Sequence, residues 1–186
     1  MSARPTGHAG VAAALSASPV APAPPAAGVA LPHVERSHAI RVAAPPARAF
    51  PLFEPVGEML WAAGWRPEFL HPADGEAREG AVFLTRAAGE PATVWMIALH
   101  RPAEHHVAYA RITPGIRAVR VDVRCRPDGP DATLATVTYA YTALSAEPDP
   151  YLEGLDEACY REGIEAWGGA IAHYLRHGTA PAGPGH

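Results

Sequence analysis

The side chains best suited to chemistry in this 186-residue chain are ten histidines, two cysteines and a few charged groups set among aromatic residues. Arg111 is the most informative of them. In the run from His105 to Thr113, alternation puts Val107, Tyr109 and Arg111 on one face and His106, Ala108 and Ala110 on the other. A guanidinium on an apolar face needs a partner to offset its desolvation. Glu58, in a helical turn beside the same interior, could be that partner. Alternatively Arg111 holds a carboxylate or carbonyl of an apolar ligand whose walls are Tyr109 and Trp95, or it sits at a strand end and reaches water.

Trp61, Trp65, Phe69 and Phe83 gather around the stretch Gly64 to Pro72, and Trp95 can approach them. Core packing accounts for most aromatics of this kind. Their place on an irregular segment favours the other reading, a ligand-facing cluster at a cavity entrance. His71 lies in this stretch and is the one histidine to test as a proton carrier. His105 and His106 are neighbours in an expected strand, so they point to opposite faces and cannot chelate together. His173 and His177 have the i, i+4 spacing of a helical metal pair, but no third ligand is near in sequence, so they read as surface histidines favoured by a helix dipole.

Other chemistries lack their residues. Five serines are present, at 2, 16, 18, 37 and 145, and none lies in a GxSxG elbow. There is no GxGxxG, P-loop or HExxH pattern, so neither a cofactor nor a metal is expected. Cys125 and Cys159 have no CxxC spacing and read as small hydrophobes.

The elements that must position these groups follow from periodicity. Ser37 to Ala43 alternates as a first strand, and Pro46 starts a short helix that Pro55 and Gly57 interrupt, leaving a broken helical pair. Four β-like runs follow: Gly80 to Arg86, Thr93 to His100, His105 to Thr113 and Ile116 to Arg126. A fifth runs from Ala132 to Leu144. Links as short as Pro114-Gly115 allow only antiparallel pairing. In these runs Trp95 joins Thr93 and Ile97, Val119 to Cys125 alternate inward against Arg120, Asp122 and Arg124, and Val137, Tyr139 and Tyr141 form the inward side of the last. From Asp149-Pro150 to His177, apolar residues at three-to-four residue steps predict one long amphipathic helix, capped by Asp149 and ended by Gly178. Gly163, Gly168 and Gly169 within it are expected where another element approaches closely. The fold class is α+β: a six-stranded antiparallel sheet covered by the C-terminal helix, with two short helices after the first strand.

This order resembles the START-like, or SRPBCC, superfamily, which includes polyketide cyclases and birch-pollen-allergen-like proteins. Its helix-grip fold wraps a curved antiparallel sheet around a long C-terminal helix. Ala44-Pro45-Pro46 to Phe50, Glu58, Trp61, Gly64-Trp65, Pro67, Gly80, Phe83, Thr85 and Trp95 carry the resemblance. Tyr109-Ala110-Arg111, Pro114-Gly115, Tyr139, Thr142-Ala143-Leu144, Trp167 and Tyr174-Leu175 extend it over about residues 37 to 176. It implies a deep, largely apolar cavity between sheet and helix. The expected lining is Trp61, Trp65, Phe69, Phe83, Trp95, Tyr109, Arg111, Tyr139, Tyr160 and Trp167, with Glu58 and His71 as polar partners. Binding or transport of a small hydrophobic ligand is the first function this implies. A cyclase or dehydratase acting on a polyketide-like substrate and a chaperone-regulator-like interaction module are the alternatives.

Composition sets the limits. Proline is 21 of 186 residues, and the stretch before residue 33 is rich in alanine and proline and has no Phe, Trp or Tyr. Residues 1–34 are expected as a disordered extension, 35–178 as the folded domain and 179–186 as a flexible tail. A net charge of −4 and pI near 6.2 argue against nucleic acid as partner. No apolar run is long enough to span a membrane, the first residues make a poor signal peptide, and a cytoplasmic location is expected.

Overall fold

The computed structural model describes residues 30–182. The expected extension and tail therefore lie largely outside the described residues. The first strand, β1, runs His33–Val42, four residues earlier than its alternation suggested, because His33 to Arg36 continue the pairing with the last strand. Two four-residue helices follow, α1 at Pro46–Ala49 and α2 at Pro55–Glu58, joined by the 3₁₀ turn Phe50–Phe53. Each helix has proline at its first position, where no N–H is needed, so Pro55 starts a helix instead of breaking one.

The sheet has seven strands, one more than expected. The additional strand is β2, Glu68–His71, in the stretch that reads as irregular from its glycines and prolines. Its four residues put only Phe69 inward, too short a pattern for alternation to reveal. Then come β3 (Val82–Thr85), β4 (Thr93–Arg101), β5 (His106–Thr113), β6 (Arg117–Pro127) and β7 (Thr133–Ala143). They form an antiparallel meander in the order β1-β7-β6-β5-β4-β3-β2, with β1 closing against β7. His105 falls outside β5, in a left-handed turn at φ 50, so it and His106 do not share a strand.

The inward residues of β3 to β7 are buried as the alternation requires: Phe83, Trp95, Ile97, Val107, Tyr109, Val119 to Cys125, Tyr139 and Tyr141. Two cross-strand rows matter for the site. Phe83, Trp95, Arg111, Val119 and Tyr141 lie in one, and Ile97, Tyr109, Val121, Tyr139 and Arg36 in the next.

The C-terminal helix is two helices. α3, Pro150–Glu153, stops at Gly154, and α4, Glu157–His177, starts afresh. Asp149 caps α3 through the Tyr151 N–H, while Asp156 caps α4 by accepting from Cys159 N–H at 2.7 Å. α4 ends at Gly178, whose φ of 73 lets its N–H reach the Tyr174 carbonyl. Tyr160, Ile164 and Ile171 are its buried stripe, and each buried aliphatic side chain contributes about 1.5–3 kcal/mol. The expectation for the helix glycines holds at one position only. A Cβ on Gly168 would sit 3.5 Å from Ile40 of β1, whereas Gly163 and Gly169 face open space.

Candidate functional site

The predicted lining residues assemble into two aromatic groups on the inner face of the sheet. In the first, Phe83 stacks on Trp95 at 5.5 Å, and Trp65 meets Trp95 edge-on at 5.6 Å. Phe69 and Tyr109 complete it at 6.1 Å from Phe83 and Trp95 respectively. In the second, Tyr139 contacts Tyr141, Tyr160 and Trp167, and Trp167 lies 5.7 Å from Trp61. Local pairing explains the arrangement, since Phe83, Trp95 and Arg111 are cross-strand neighbours.

Most polar atoms of these rings are engaged. The indole N–H of Trp61 donates to Leu52 O, that of Trp65 to Pro55 O and that of Trp95 to Thr85 Oγ1. Trp61 and Phe83 are fully enclosed and hold the core together. Trp65, Phe69 and Trp167 stay partly exposed.

Arg111 stands between the two groups. Its guanidinium lies over the Trp95 ring at 5.0 Å. Its Nε is buried without a hydrogen-bond partner, and none of its nitrogens lies within 4.0 Å of a carboxylate oxygen among the described residues. The expected ion pair with Glu58 is therefore not formed. Burial pushes the Glu58 carboxyl up to about 8, which leaves it protonated at neutral pH. Burial is the sole cause of that rise, in keeping with a carboxyl that no guanidinium offsets.

Burial raises the Tyr139 hydroxyl above its usual range, with Arg111 opposing the rise and Glu58, ionised only at alkaline pH, adding to it. Tyr109 is raised by burial and by Glu58 and Glu54. Burial also pushes the Cys125 thiol up to about 12, which leaves it inert near neutrality.

His71 is not part of this cluster. It is exposed, 3.3 Å from Arg78 Nη2, on the rim of a crevice lined by Phe69, Phe83 and Ile97 that contains no free volume. A polar surface cleft of about 260 Å³ lies elsewhere, between Glu35 to His38 of β1 and Glu157, Tyr160 and Arg161 of α4. Three histidines instead hold elements together through carboxylates: His38 with Glu165, His100 with Glu54 and His106 with Asp122. The rings of His173 and His177 lie 4.5 Å apart.

Two features escape a reading of the sequence. Arg117 has the parity of Val119 and so points inward. It is 3% exposed and is held by Asp149 and Glu90, with Tyr151 stacked at 5.0 Å. The parity was available as a signal, but its two partners come from distant loops. The second is which tyrosine remains free: Tyr109, expected as a ligand contact, donates instead to Phe53 O at 2.8 Å.

Residues 33–166 match the family described as polyketide cyclase / dehydrase and lipid transport. Among solved structures, norcoclaurine synthase from Thalictrum flavum in complex with dopamine and hydroxybenzaldehyde is 17% identical. The match covers 80% of this chain and 90% of that one, with a TM-score of 0.56. The Mll3558 protein from Rhizobium loti is 21% identical over 77% of this chain and 98% of its own, at a TM-score of 0.52. Ara h 8.0201 is 15% identical over 78% and 99%, at 0.56. No curated protein matches the chain. At such identities the structural likeness speaks for the fold.

Proposed function

The chain belongs to the polyketide cyclase / dehydrase and lipid transport family, and from that membership we propose that it binds a small apolar ligand with one polar end between its sheet and α4. One observation supports this above the others. Arg111 places a cation on the inner face of the sheet with an orphaned Nε and no carboxylate partner. An uncompensated buried donor costs about 1–3 kcal/mol, and a ligand oxygen would remove that cost. The aromatic groups on either side supply the walls. Trp65 and Trp167, which remain partly exposed, lie at the edge of these groups.

The test is native mass spectrometry of the purified protein for a retained small molecule, followed by titration of that molecule. Arg111→Ala should weaken binding by about 1–3 kcal/mol, roughly five- to 150-fold. Unchanged affinity would remove Arg111 from the site.

A second reading, cyclisation or dehydration of a polyketide-like substrate, is favoured by Glu58. A half-buried carboxyl raised to about 8 is matched to proton transfer near neutral pH. Consumption of such a substrate that Glu58→Gln abolishes, with ligand retention unchanged, would separate enzyme from carrier.

A further inference from the structure

The cleft between β1 and α4 encloses about 260 Å³, several times the ~30 Å³ that one water occupies. β1 supplies Glu35, Arg36, Ser37 and His38 as one wall, and α4 supplies Glu157, Tyr160 and Arg161 as the other. The walls are tied where His38 Nε2 and Glu165 Oε1 lie 2.7 Å apart, one helical turn beyond Arg161. Tyr160 donates its hydroxyl to Val137 O, so it offers the cleft a ring and no free donor.

The charges that line this cleft are unpaired. There are two guanidiniums, Arg36 and Arg161, and two carboxylates, Glu35 and Glu157. None of the four lies within 4.0 Å of an opposite charge among the described residues. Helix geometry alone would pair two of them. Glu157 and Arg161 are spaced i, i+4 with the acid N-terminal, the arrangement that favours an ion pair within a helix. Arg36 is half-buried, and its Nη1 donates to Glu35 O at 2.9 Å. Its Nε is one of two buried side-chain atoms without a hydrogen-bond partner among the described residues. An orphaned donor is unfavourable, so turning this guanidinium towards an acceptor in the cleft would be a gain.

A bare anion in the cleft would meet two carboxylates, and a bare cation two guanidiniums. An occupant with both charges meets each with its opposite. We propose that the cleft binds a small zwitterion, with its anionic oxygens on Arg36 and Arg161 and its ammonium between Glu35 and Glu157. A free amino acid and an ethanolamine phosphodiester headgroup share that chemistry. The site is separate from the aromatic interior: it uses neither Arg111 nor Glu58, and Tyr160 is the one residue common to both linings.

The experiment follows amide NMR shifts of the full chain on titration with four probes. L-Glutamine and glycerophosphoethanolamine carry both charges; glutaramate and 4-aminobutanamide are glutamine without its ammonium and without its carboxylate. At least one zwitterion should saturate shifts at residues 35–38 and 157–161 at millimolar concentration, and the tighter of the two names the source, amino acid or headgroup. Each single-charge analogue should bind about ten-fold more weakly than that zwitterion, the worth of a charged hydrogen bond. Arg36→Gln should weaken the zwitterion and glutaramate alike. Glu157→Gln should weaken the zwitterion and strengthen glutaramate, an inversion that a merely structural role would not produce. Arg161→Gln, at an exposed position, should act as Arg36→Gln does and serves if the latter fails to fold. A single-charge analogue that binds as tightly as the zwitterion, unchanged affinity in the arginine variants, or no shift at these residues with any probe overturns the proposal. Each of those results leaves the reading of the aromatic interior untouched.

Discussion

Two of the inward arginines of the sheet, Arg111 and Arg117, face opposite energetic situations. Arg117 reaches Asp149 and Glu90, so its charge and donors are satisfied, and it ties the start of β6 to α3 and to the loop before β4. Arg117→Ala should therefore cost about 3–5 kcal/mol in urea unfolding, because it strands the Asp149 carboxylate with 7% of its side chain exposed. Arg111 has a ring beneath it and no counter-ion. Arg111→Leu should leave stability unchanged or raise it, since it removes an uncompensated donor and adds apolar contact with Trp95. A loss above about 2 kcal/mol would show that Arg111 is a structural residue and not one held in readiness. Inward parity for Arg111 was legible in the sequence. Its lack of a partner was not, because pairing depends on where Glu58, on a separate element, directs its carboxyl.

At the scale of elements, alternation made β4 to β7 legible to within a residue or two, since each buries most of one face, while the start of β1, only half-buried, was missed by four residues. It failed where elements are short or where one punctuation mark had to be weighed. β2 has four residues and one inward side chain, and Gly154 could either be carried within a helix or end one. The helix glycines offer a direct check. Gly163 and Gly169 in α4 face open space, so Gly163→Ala and Gly169→Ala should each stabilise by about 0.5–1 kcal/mol through helix propensity, read as a rise in Tm. Gly57 is the opposite case. A Cβ there would lie 1.8 Å from the Pro51 carbonyl oxygen, so Gly57→Ala must push apart α2 and the turn before it. That variant should lose stability and alter the pH dependence carried by Glu58, the neighbouring residue. If Gly57→Ala is neutral in both respects, α2 is looser than its packing indicates.

For the whole molecule, Glu58 links the candidate site to stability through pH. Its carboxyl rises from the usual 4.5 to about 8 because of burial, while in the unfolded chain it titrates at the ordinary value. Below 4.5 it is protonated in both states and costs the fold nothing. Between 4.5 and 8 the unfolded chain releases the proton and the folded one retains it, so the native state binds more protons and stability falls as pH rises. Above 8 both states are ionised and the penalty is constant. The slope approaches roughly 1.4 kcal/mol per pH unit, for a total of a few kcal/mol. Burial is the cause of the rise, and no charged neighbour offsets it. Glu58→Gln should remove this slope, so urea unfolding of wild type and variant should agree near pH 4.5 and diverge by pH 8, with the variant the more stable. A ligand that hydrogen-bonds the protonated carboxyl should hold Glu58 neutral to still higher pH and extend the stable range. If wild type and Glu58→Gln keep parallel pH profiles, the carboxyl is solvated in the folded state and cannot serve as a proton donor near neutral pH.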